Sequence, residues 1–365
     1  MAGVYLSYPF CGQKCTFCNF ASGVYPAALE PQYVEALAGE IETHRWQWTP
    51  RTLYIGGGTP SRLSPAAARR LVNAIPGRPW EEATIEAAPG AITPERVRLW
   101  SGIGINRVSL GVQSFVPAEA ARTGRRHTPE TVRAEMKLLA AGGIRRINID
   151  LIAGLPGQTP ASWRESLEWI ERLGAGHVSV YLFEIDEDSR LGREVLRGGA
   201  RYGARDVPPA DLAAELYETA VARLAAAGLA RYEISNFARP GEESLHNLKY
   251  WRLEPYVGFG ADAHSCDGAV RRANVEGAAE YVARWKRGES PCAGESPARP
   301  DERFFVGLRL SEGIEPDDAE WVRYEGAIRR FLDAGLLERH GARLRLTAAG
   351  VLLSNEVFQE FIEAA

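Results

Sequence analysis

The sequence lacks the features that would direct it to nucleic acid or into a membrane. Its 43 Lys and Arg against 47 Asp and Glu give a formal net charge of −4, so there is no basic excess to follow a phosphate backbone. No stretch approaches the roughly 18 uncharged apolar residues of a transmembrane helix. The opening MAGVYLSYPF has neither a charged start nor a long apolar run, so we expect no signal peptide. These absences predict a cytoplasmic protein without a nucleic-acid partner or a membrane span.

Cysteine is also scarce, with five in 365 residues, whereas secreted disulfide scaffolds place more cysteines in shorter chains. The few that exist are unevenly spread. Cys11, Cys15 and Cys18 lie within one short stretch, and Cys266 and Cys292 stand alone. We interpret the two isolated cysteines as small buried or tolerated residues, and we expect a reducing environment.

A fourth ligand is missing from the cysteine cluster, whose spacing is C-x3-C-x2-C. Structural zinc sites take four protein ligands, and ferredoxin-type clusters take four thiolates. The next histidine along the chain is His44, which falls inside a predicted helix. Three thiolates on a [4Fe–4S] cube would leave one iron open to a ligand from outside the protein.

Six short apolar runs alternate with amphipathic stretches through the first two thirds of the chain. The runs predict buried parallel strands, and they are GVYLSY, RTLYIGG, ATIEAAP, RVSLGVQSF, RINIDLIAG and HVSVYLFEI. Four of the predicted helices begin with a hydroxyl residue followed by Pro, at Ser64, Thr93, Thr128 and Thr159. Both an open doubly wound sheet and a partial or full barrel fit this α/β pattern. In either, the chemistry collects at the carboxyl ends of the strands.

Polar residues interrupt the ends of these runs. The sequence GGGTP at residues 56–60 follows the second run, and its glycines leave room for a ligand against the backbone. Glu86, Gln113 and Asp150 lie in or after otherwise apolar strands. Because burying a charge is costly unless it is paired or functional, these side chains are candidates for ligand contact, with structural hydrogen bonding as the alternative.

Taken together, several stretches resemble the radical S-adenosylmethionine (radical SAM) superfamily and, within it, the oxygen-independent coproporphyrinogen III oxidase family. They are YLSYPFCGQKCTFCNF, GGGTPS, GVQSF, NIDLIAGLPGQT, YEISNFARPG, HNLKYW and GFGADAHS. The resemblance implies a partial (β/α)6 TIM-like barrel with a small C-terminal, helical, winged-helix-like domain. The expected division is 1–240 for the barrel, 241–290 for a connecting segment carrying HNLKYW and GFGADAHS, and 291–365 for the C-terminal domain.

The resemblance also implies a ligand for each motif. Cys11, Cys15 and Cys18 would hold a [4Fe–4S] cluster whose open iron is chelated by SAM. Tyr5 would pack beside SAM, Phe17 would present its backbone to the adenine, and Asp150 would contact the ribose. The other SAM-binding residues would be Gly57, Gly58 and Thr59 at the methionyl amino end, together with Glu86, Gln113 and Arg125, the last beside Arg126 and His127. An electron donor such as a flavodoxin-type protein would serve the cluster.

Two branches of that family differ at positions readable in this sequence. The oxidase branch has a longer N-terminus and a fourth cysteine two residues after the triplet, where this chain has Phe20. The haem-chaperone branch carries H-N-x-x-Y-W, here His246 to Trp251. The resemblance therefore implies haem binding, with His246 as an axial ligand, Tyr250 and Trp251 over the porphyrin face, and a haem-accepting partner protein.

Three other functions stay open at this point. They are oxygen-independent coproporphyrinogen III dehydrogenase, a radical SAM methyltransferase on the same scaffold, and a DNA-binding regulator that uses the C-terminal module. Whether SAM is cleaved, and so whether the protein is an enzyme, is also open. Ser7 and Tyr8 stand where the family run has His and Ile, which we expect to affect the redox tuning of the cluster and not its ligation.

The C-terminal stretch predicts a helix, a hairpin around His340 and Gly341, and a last helix. Modules of this shape often bind DNA, but the acidic SEGIEPDDAE offers no phosphate-tracking surface. A structural or lid role is therefore the prediction for this domain.

Overall fold

Six parallel strands stand side by side in chain order in the computed structural model, which describes residues 2–299 and 301–363. Each is followed by at least one helix. A sequential order built from right-handed crossovers keeps all the helices on one face, so the sheet curls around the other face. The strands are β1 Gly3–Tyr8, β2 Thr52–Gly57, β3 Glu82–Ala87, β4 Arg107–Gln113, β5 Arg146–Ala153 and β6 His177–Leu182. This confirms the partial (β/α)6 barrel over the doubly wound alternative, in which the strand order would reverse.

Further strands extend this sheet at both edges, and a separate hairpin lies near the C-terminus. Beyond β6 lie β8 and β7, and beyond β1 lie β9, β10, β11 and β12. These strands are β7 Ala230–Arg231, β8 Asn236–Ala238, β9 Tyr256–Phe259, β10 His264–Cys266, β11 Val270–Asn274 and β12 Cys292–Pro297; the hairpin is β13 Leu337–His340 with β14 Arg343–Leu346.

The helices of the described residues cover the outer face of the barrel and form most of the C-terminal domain. They are α1 Leu29–Thr43, α2 Pro65–Asn73, α3 Pro94–Gly102, α4 Pro117–Thr123, α5 Pro129–Ala141, α6 Pro160–Leu173, α7 Arg190–Leu196, α8 Ala210–Ala226, α9 Leu245–Trp251, α10 Ala278–Lys286, α11 Asp318–Arg323, α12 Glu325–Asp333, α13 Ala348–Leu352 and α14 Ser354–Glu363. Short 3₁₀ or π segments span Pro60–Arg62, Arg201–Asp206 and Arg303–Gly307.

The predicted hydroxyl-Pro helix starts are confirmed. Ser64 Oγ accepts a hydrogen bond from the Ala67 amide at 3.2 Å, and the hydroxyls of Thr93, Thr128 and Thr159 cap α3, α5 and α6 in the same way. Each cap satisfies an amide that the first helical turn leaves unpaired. Local sequence therefore fixes where four of the outer helices begin.

The two faces of the barrel strands differ in chemistry. Residues such as Leu6, Leu53 and Ile149 point outward, are completely buried, and pack against the helices. The alternating inward positions carry polar side chains, among them Glu86 and Asp150. Because side chains alternate along a strand, the same runs build an apolar core outside and a polar chamber inside.

The segment predicted to connect the two domains is part of the main sheet. Strand β9 lies parallel to β1, with Gly3 opposite Tyr256, and β10 and β11 follow it. Strand β12 begins at Cys292, inside the range expected for the C-terminal domain, yet it is an edge of this sheet. The predicted boundary near residue 291 therefore stays a prediction.

The C-terminal segment has the predicted order of helix, hairpin and helix, with α12, the β13–β14 pair and then α13 and α14. The hairpin turns at Gly341, whose φ of 64° suits glycine. None of the helices in the described part of the chain combines the length and apolar character that crossing a bilayer requires.

Candidate functional site

A cavity of about 510 Å³ opens at the carboxyl ends of the barrel strands. The cysteine loop forms one wall, and residues of the C-terminal domain reach the cavity from another side. Eleven predicted residues line it: Cys11, Cys15, Phe17, Cys18, Gly57, Gly58, Thr59, Glu86, Gln113, Arg125 and Asp150. Another cavity, of about 420 Å³, lies by α1 and strands β9 to β12 and contains none of the predicted cluster or SAM residues. The fold thus gathers nearly all of the predicted cluster and SAM residues in one place.

The cysteine loop between β1 and α1 is fastened on several sides. The Cys11 amide donates to the Gly23 carbonyl at 2.8 Å, which closes the loop on itself. The Thr16 amide donates to the Thr123 carbonyl of α4 at 3.3 Å, and Thr16 accepts from the Leu191 amide of α7 at 2.8 Å. These bonds hold three thiols at the cavity although the loop has little regular structure of its own.

The donor set of three thiols at one cavity fits a cubane cluster. Within the described residues, no three His, Cys, Asp or Glu side chains converge on one metal position. A [4Fe–4S] cube takes each thiolate on a different iron, so it needs three sulfurs around one cavity and no common centre. Cys11, Cys15 and Cys18 meet that requirement.

Two opposing effects act on the pKa of the Cys15 thiol. Burial dominates and raises its pKa, and the nearby Arg125 guanidinium opposes that rise. Since thiolates are the ligating form, metal binding must release the proton. Arg125 therefore favours the state that the cluster requires.

The glycine loop after β2 supports the cysteine loop through its own amides. Gly58 and Thr59 donate to the carbonyls of Tyr8 and Phe10 at 2.8 and 3.0 Å, and Gly57 donates to Glu86 Oε2 at 3.2 Å. These three amides are therefore not available to a ligand, and a ligand amino group would need the carbonyl oxygens of the loop instead. A Cβ on Gly58 would lie 2.8 Å from the Pro9 carbonyl carbon, so the close approach requires glycine.

Two carboxylates, Glu86 and Asp150, line the cavity. Burial raises the pKa of Glu86 to about 7, against hydrogen bonds from the Gly57 amide and from the Tyr54 hydroxyl at 2.9 Å. Burial also raises the pKa of Asp150, whose oxygens accept from Ser109 Oγ at 3.1 Å and Asn148 Nδ2 at 2.7 Å. The two carboxylates give the chamber acceptors for the ammonium and hydroxyl groups of a ligand.

Gln113 and Arg125 lie together on the next side of the cavity. Gln113 has φ of 71° at a bulge in the pairing of β4 with β5, and non-glycine residues in that region concentrate at functional sites. A Cβ on Gly111 would lie 3.0 Å from Gln113 Nε2 and 3.1 Å from Arg125 Nη2. Glycine at this position leaves space for both polar groups.

The structure separates the two adjacent arginines. Arg125 lines the cavity, and its buried Nε has no hydrogen-bond partner among the described residues. Arg126 is exposed, and the neighbouring His127 is buried with Nε2 3.3 Å from the Ser114 carbonyl oxygen. Arg125 is therefore the one placed to receive a carboxylate in the cavity.

Tyr5 does not line the cavity. Its ring stacks on Tyr54 with centroids 6.1 Å apart, and Tyr54 lines the cavity and donates a hydrogen bond to Glu86. The packing of Tyr5 beside SAM stays a prediction. Tyr54 was missed because an aromatic residue in an apolar strand gives no signal that distinguishes core from cavity.

The HNLKYW motif lies at the opposite end of the barrel, where α9 closes the amino ends of the strands. His246 is 1% exposed. Its Nδ1 is 2.8 Å from Thr52 Oγ1, and its Nε2 is 2.8 Å from the Tyr250 hydroxyl. Burial, with the Lys249 charge adding to it, holds the imidazole pKa well below its usual range. Both ring nitrogens are thus engaged inside the protein, and the predicted haem ligation stays a prediction.

A buried carboxylate fixes the start of this helix. Glu82, fully buried, accepts from the amides of Leu245 and His246 at 3.0 and 2.9 Å and from Ser244 Oγ at 3.1 Å. Arg107, 2% exposed, lies 3.8 Å from the same carboxylate. Negative charge at a helix N-terminus is favourable, so α9 is anchored by charge as well as by hydrogen bonds.

Trp251, the last residue of the motif, contacts an arginine from the C-terminal part of the chain. Its ring lies under the Arg309 guanidinium, with Arg309 Cζ 4.4 Å from the ring centroid, and Arg309 lines the cavity. Sequence reasoning missed Arg309 because it is far along the chain from every other cavity motif.

Two family models match parts of this chain. Residues 5–170 match the Radical SAM superfamily, and residues 296–353 match the HemN C-terminal domain. The solved structure of coproporphyrinogen III oxidase (HemN) from Escherichia coli has a similar fold, with a TM-score of 0.85 at 22% identity over 99% of this chain and 89% of that chain.

Several relatives carry the name heme chaperone HemW. That of Bacillus subtilis is 31% identical over 99% of both chains. That of Mycobacterium tuberculosis H37Rv is 34% identical over 99% of this chain and 94% of its own, and that of Escherichia coli K12 is 30% identical over 98% and 97%. With the three-thiol cavity and the full-length match, this chain belongs to the radical SAM superfamily and, within it, to the HemW family.

Proposed function

We propose that this protein is a haem chaperone that binds a [4Fe–4S] cluster, SAM and haem, and delivers haem to a haem-requiring protein. The observation that carries the proposal is the identity of 30 to 34% to proteins named heme chaperone HemW over nearly the whole of both chains. Phe20, at the position of the oxidase's fourth cysteine, agrees with this branch.

The residues of the cavity divide into three tasks under this proposal. Cys11, Cys15 and Cys18 hold the cluster. Gly57, Gly58 and Thr59 shape the methionyl end of the SAM site, where Glu86 accepts from the amino group and Arg125 receives the carboxylate. Phe17, Gln113 and Asp150 hold the nucleoside, while Tyr5 stacks on Tyr54 beside the cavity. When bound, the cluster supplies an electron to SAM, from a donor such as a flavodoxin-type protein.

His246 is the proposed axial haem ligand by resemblance, with Tyr250 and Trp251 beside the porphyrin. In the observed arrangement the imidazole donates or accepts at both nitrogens. Ligation of iron by Nε2 therefore requires the Tyr250 hydrogen bond to break and the buried imidazole to become accessible. The haem acceptor is a protein, and the proposed setting is the cytoplasm.

The proposal is tested on anaerobically reconstituted protein in two assays of one sample. Haemin titration should give a saturable, stable Soret band. Incubation with coproporphyrinogen III, SAM and a reductant should give no protoporphyrinogen. Efficient turnover without haem binding would replace the chaperone proposal with the dehydrogenase.

The same titration on His246→Ala tests the ligand. Loss of the ligated-haem spectrum with the cluster absorbance intact would support His246 as the axial ligand. An unchanged spectrum would show that another group binds the iron. Thermal unfolding of the variant distinguishes loss of haem ligation from loss of the folded state.

A further inference from the structure

Arg309 is the cationic side chain that the C-terminal part of the chain contributes to the cavity. Among the described lining residues, Arg125 is the other arginine, and the lining contains no lysine. The C-terminal part of the chain also adds apolar residues to the cavity lining, including Val351 and Leu352. A single cation combined with an apolar wall suits a ligand that is both apolar and anionic.

The fold holds the Arg309 backbone in place against the open edge of the barrel. The next residue, Leu310, bridges to Glu233 in an antiparallel pair, and the Ser311 amide donates to the Tyr232 carbonyl at 3.0 Å. This joins the C-terminal domain to the strand segment that ends the barrel. Arg309 therefore lies where the C-terminal domain contacts the barrel.

Two neighbours orient the guanidinium. Its Cζ lies 4.4 Å from the centroid of the Trp251 ring, and Nη2 donates to Glu233 Oε2 at 3.3 Å. Glu233 is fully buried and its other oxygen accepts from the Ser235 amide at 2.9 Å. Stacking on an aromatic face leaves the edge of a guanidinium free to donate.

These contacts leave donors unused. A guanidinium carries five N–H donors, and the pair with Glu233 is through one nitrogen. Arg309 Nε is buried and has no hydrogen-bond partner among the described residues. The Arg309 side chain keeps 26% of its surface exposed at the cavity wall, so its remaining N–H donors can reach an acceptor, and a carboxylate is the acceptor that a guanidinium binds best.

We propose that Arg309 binds a carboxylate of the tetrapyrrole ligand and that Trp251 is its positioning residue. This rests on the proposed haem-binding function. Arg125, which lines the cavity together with the three cysteines, serves the carboxylate of SAM at the cluster side, and Arg309 serves a propionate of haem at the C-terminal side. Trp251 of the HNLKYW motif then contributes to haem binding by positioning Arg309, in addition to the role proposed for His246.

The test uses full-length, cluster-reconstituted protein titrated with haemin and with haemin dimethyl ester, whose propionates carry no charge. Arg309→Gln should weaken haemin binding tenfold or more, because a charge-assisted pair is lost. It should leave the affinity for the diester and for SAM unchanged. Arg329→Gln, which changes an exposed arginine of α12 paired with Glu325, is the matched control and should change none of the three.

The outcomes are distinct. Equal haemin affinity in wild type and Arg309→Gln would overturn this assignment alone. An equal loss for SAM would assign the guanidinium to the SAM carboxylate and also overturn it. No haemin binding by the wild type would overturn the proposed function and this inference with it. Since Arg309→Gln leaves buried Glu233 unpaired, the double variant Glu233→Gln with Arg309→Gln is measured beside it and should show the same selective loss.

The role of Trp251 is separated from plain packing by rescue. Trp251→Leu removes the aromatic face and should weaken haemin binding, with little effect on the diester. Trp251→Phe keeps an aromatic face and should bind haemin within about threefold of wild type. Equal losses for haemin and its diester in Trp251→Leu would contradict the positioning role.

Discussion

The two ends of the barrel are built from the same strands and have opposite character. At the carboxyl ends the strands open into a cavity where the Arg125 Nε has no partner among the described residues. At the amino ends α9 fills the opening, and Glu82 takes three hydrogen bonds. Both ends carry charged side chains. One end leaves hydrogen-bonding capacity for ligands, and the other uses it to close the fold.

This difference shows which end of the barrel each motif occupies, which the sequence alone does not. The cysteines and the GGGTP loop belong to the open end, while His246 and Tyr250 belong to the closed end. Tyr54 is the link, since it donates to Glu86 and its ring centroid is 5.3 Å from that of His246. Tyr54 therefore connects α9 to the cavity.

The largest expected effect is at the open end. Replacing Cys15 with Ala should abolish the cluster, because two thiolates cannot hold the cube in place of three. Iron and sulfide content after anaerobic reconstitution measures this. Cys292→Ala, outside the cavity, should keep wild-type iron content. Full cluster assembly in Cys15→Ala would contradict the assignment.

The second largest effect is expected at the closed end and concerns the free energy of unfolding. Glu82→Ala should lower the free energy of unfolding by about 3 to 5 kcal/mol, since it leaves Arg107 buried beside an empty carboxylate position. Urea denaturation measures the loss. Glu81→Ala, at an exposed neighbour, should cost about 0.5 kcal/mol or less. Comparable values for the two variants would mean that α9 is not anchored by Glu82.

The smallest expected effect is a pH dependence at Glu86. Its folded pKa of about 7 lies above the ordinary carboxyl value, so the free protein carries the proton below pH 7 and loses it above. If Glu86 accepts from the SAM amino group, SAM affinity should fall by up to about tenfold from pH 8 to pH 6. Equilibrium dialysis at each pH measures it.

Glu86→Gln is the control for that measurement, because it keeps the shape and removes the titration. Its SAM affinity should vary with pH only as far as SAM itself titrates. Stability should move the other way, since a raised folded pKa stabilises the protein below the unfolded pKa and the contribution is lost as pH rises through about 7. Identical profiles in wild type and variant would remove Glu86 from the amino-group site.

The parts of the fold that follow from local sequence could be predicted. Strand runs and hydroxyl-Pro caps depend on a few adjacent residues, as at Ser64 and Thr159. The use of the Gly58 and Thr59 amides could not be predicted, because their acceptors are backbone carbonyls of the cysteine loop. Nor could Arg309, since its place in the cavity depends on how the C-terminal segment pairs with Tyr232 and Glu233.

The sequence by itself determined the six strand–helix units, the starts of their helices and the three-thiol loop after the first strand, because each is encoded within one short window. Only the tertiary structure decided which end of the barrel each motif occupies. Thr52 and His246 are 194 residues apart and share a hydrogen bond. That contact depends on long-range packing of the whole sheet, so it cannot be predicted from any short window of residues.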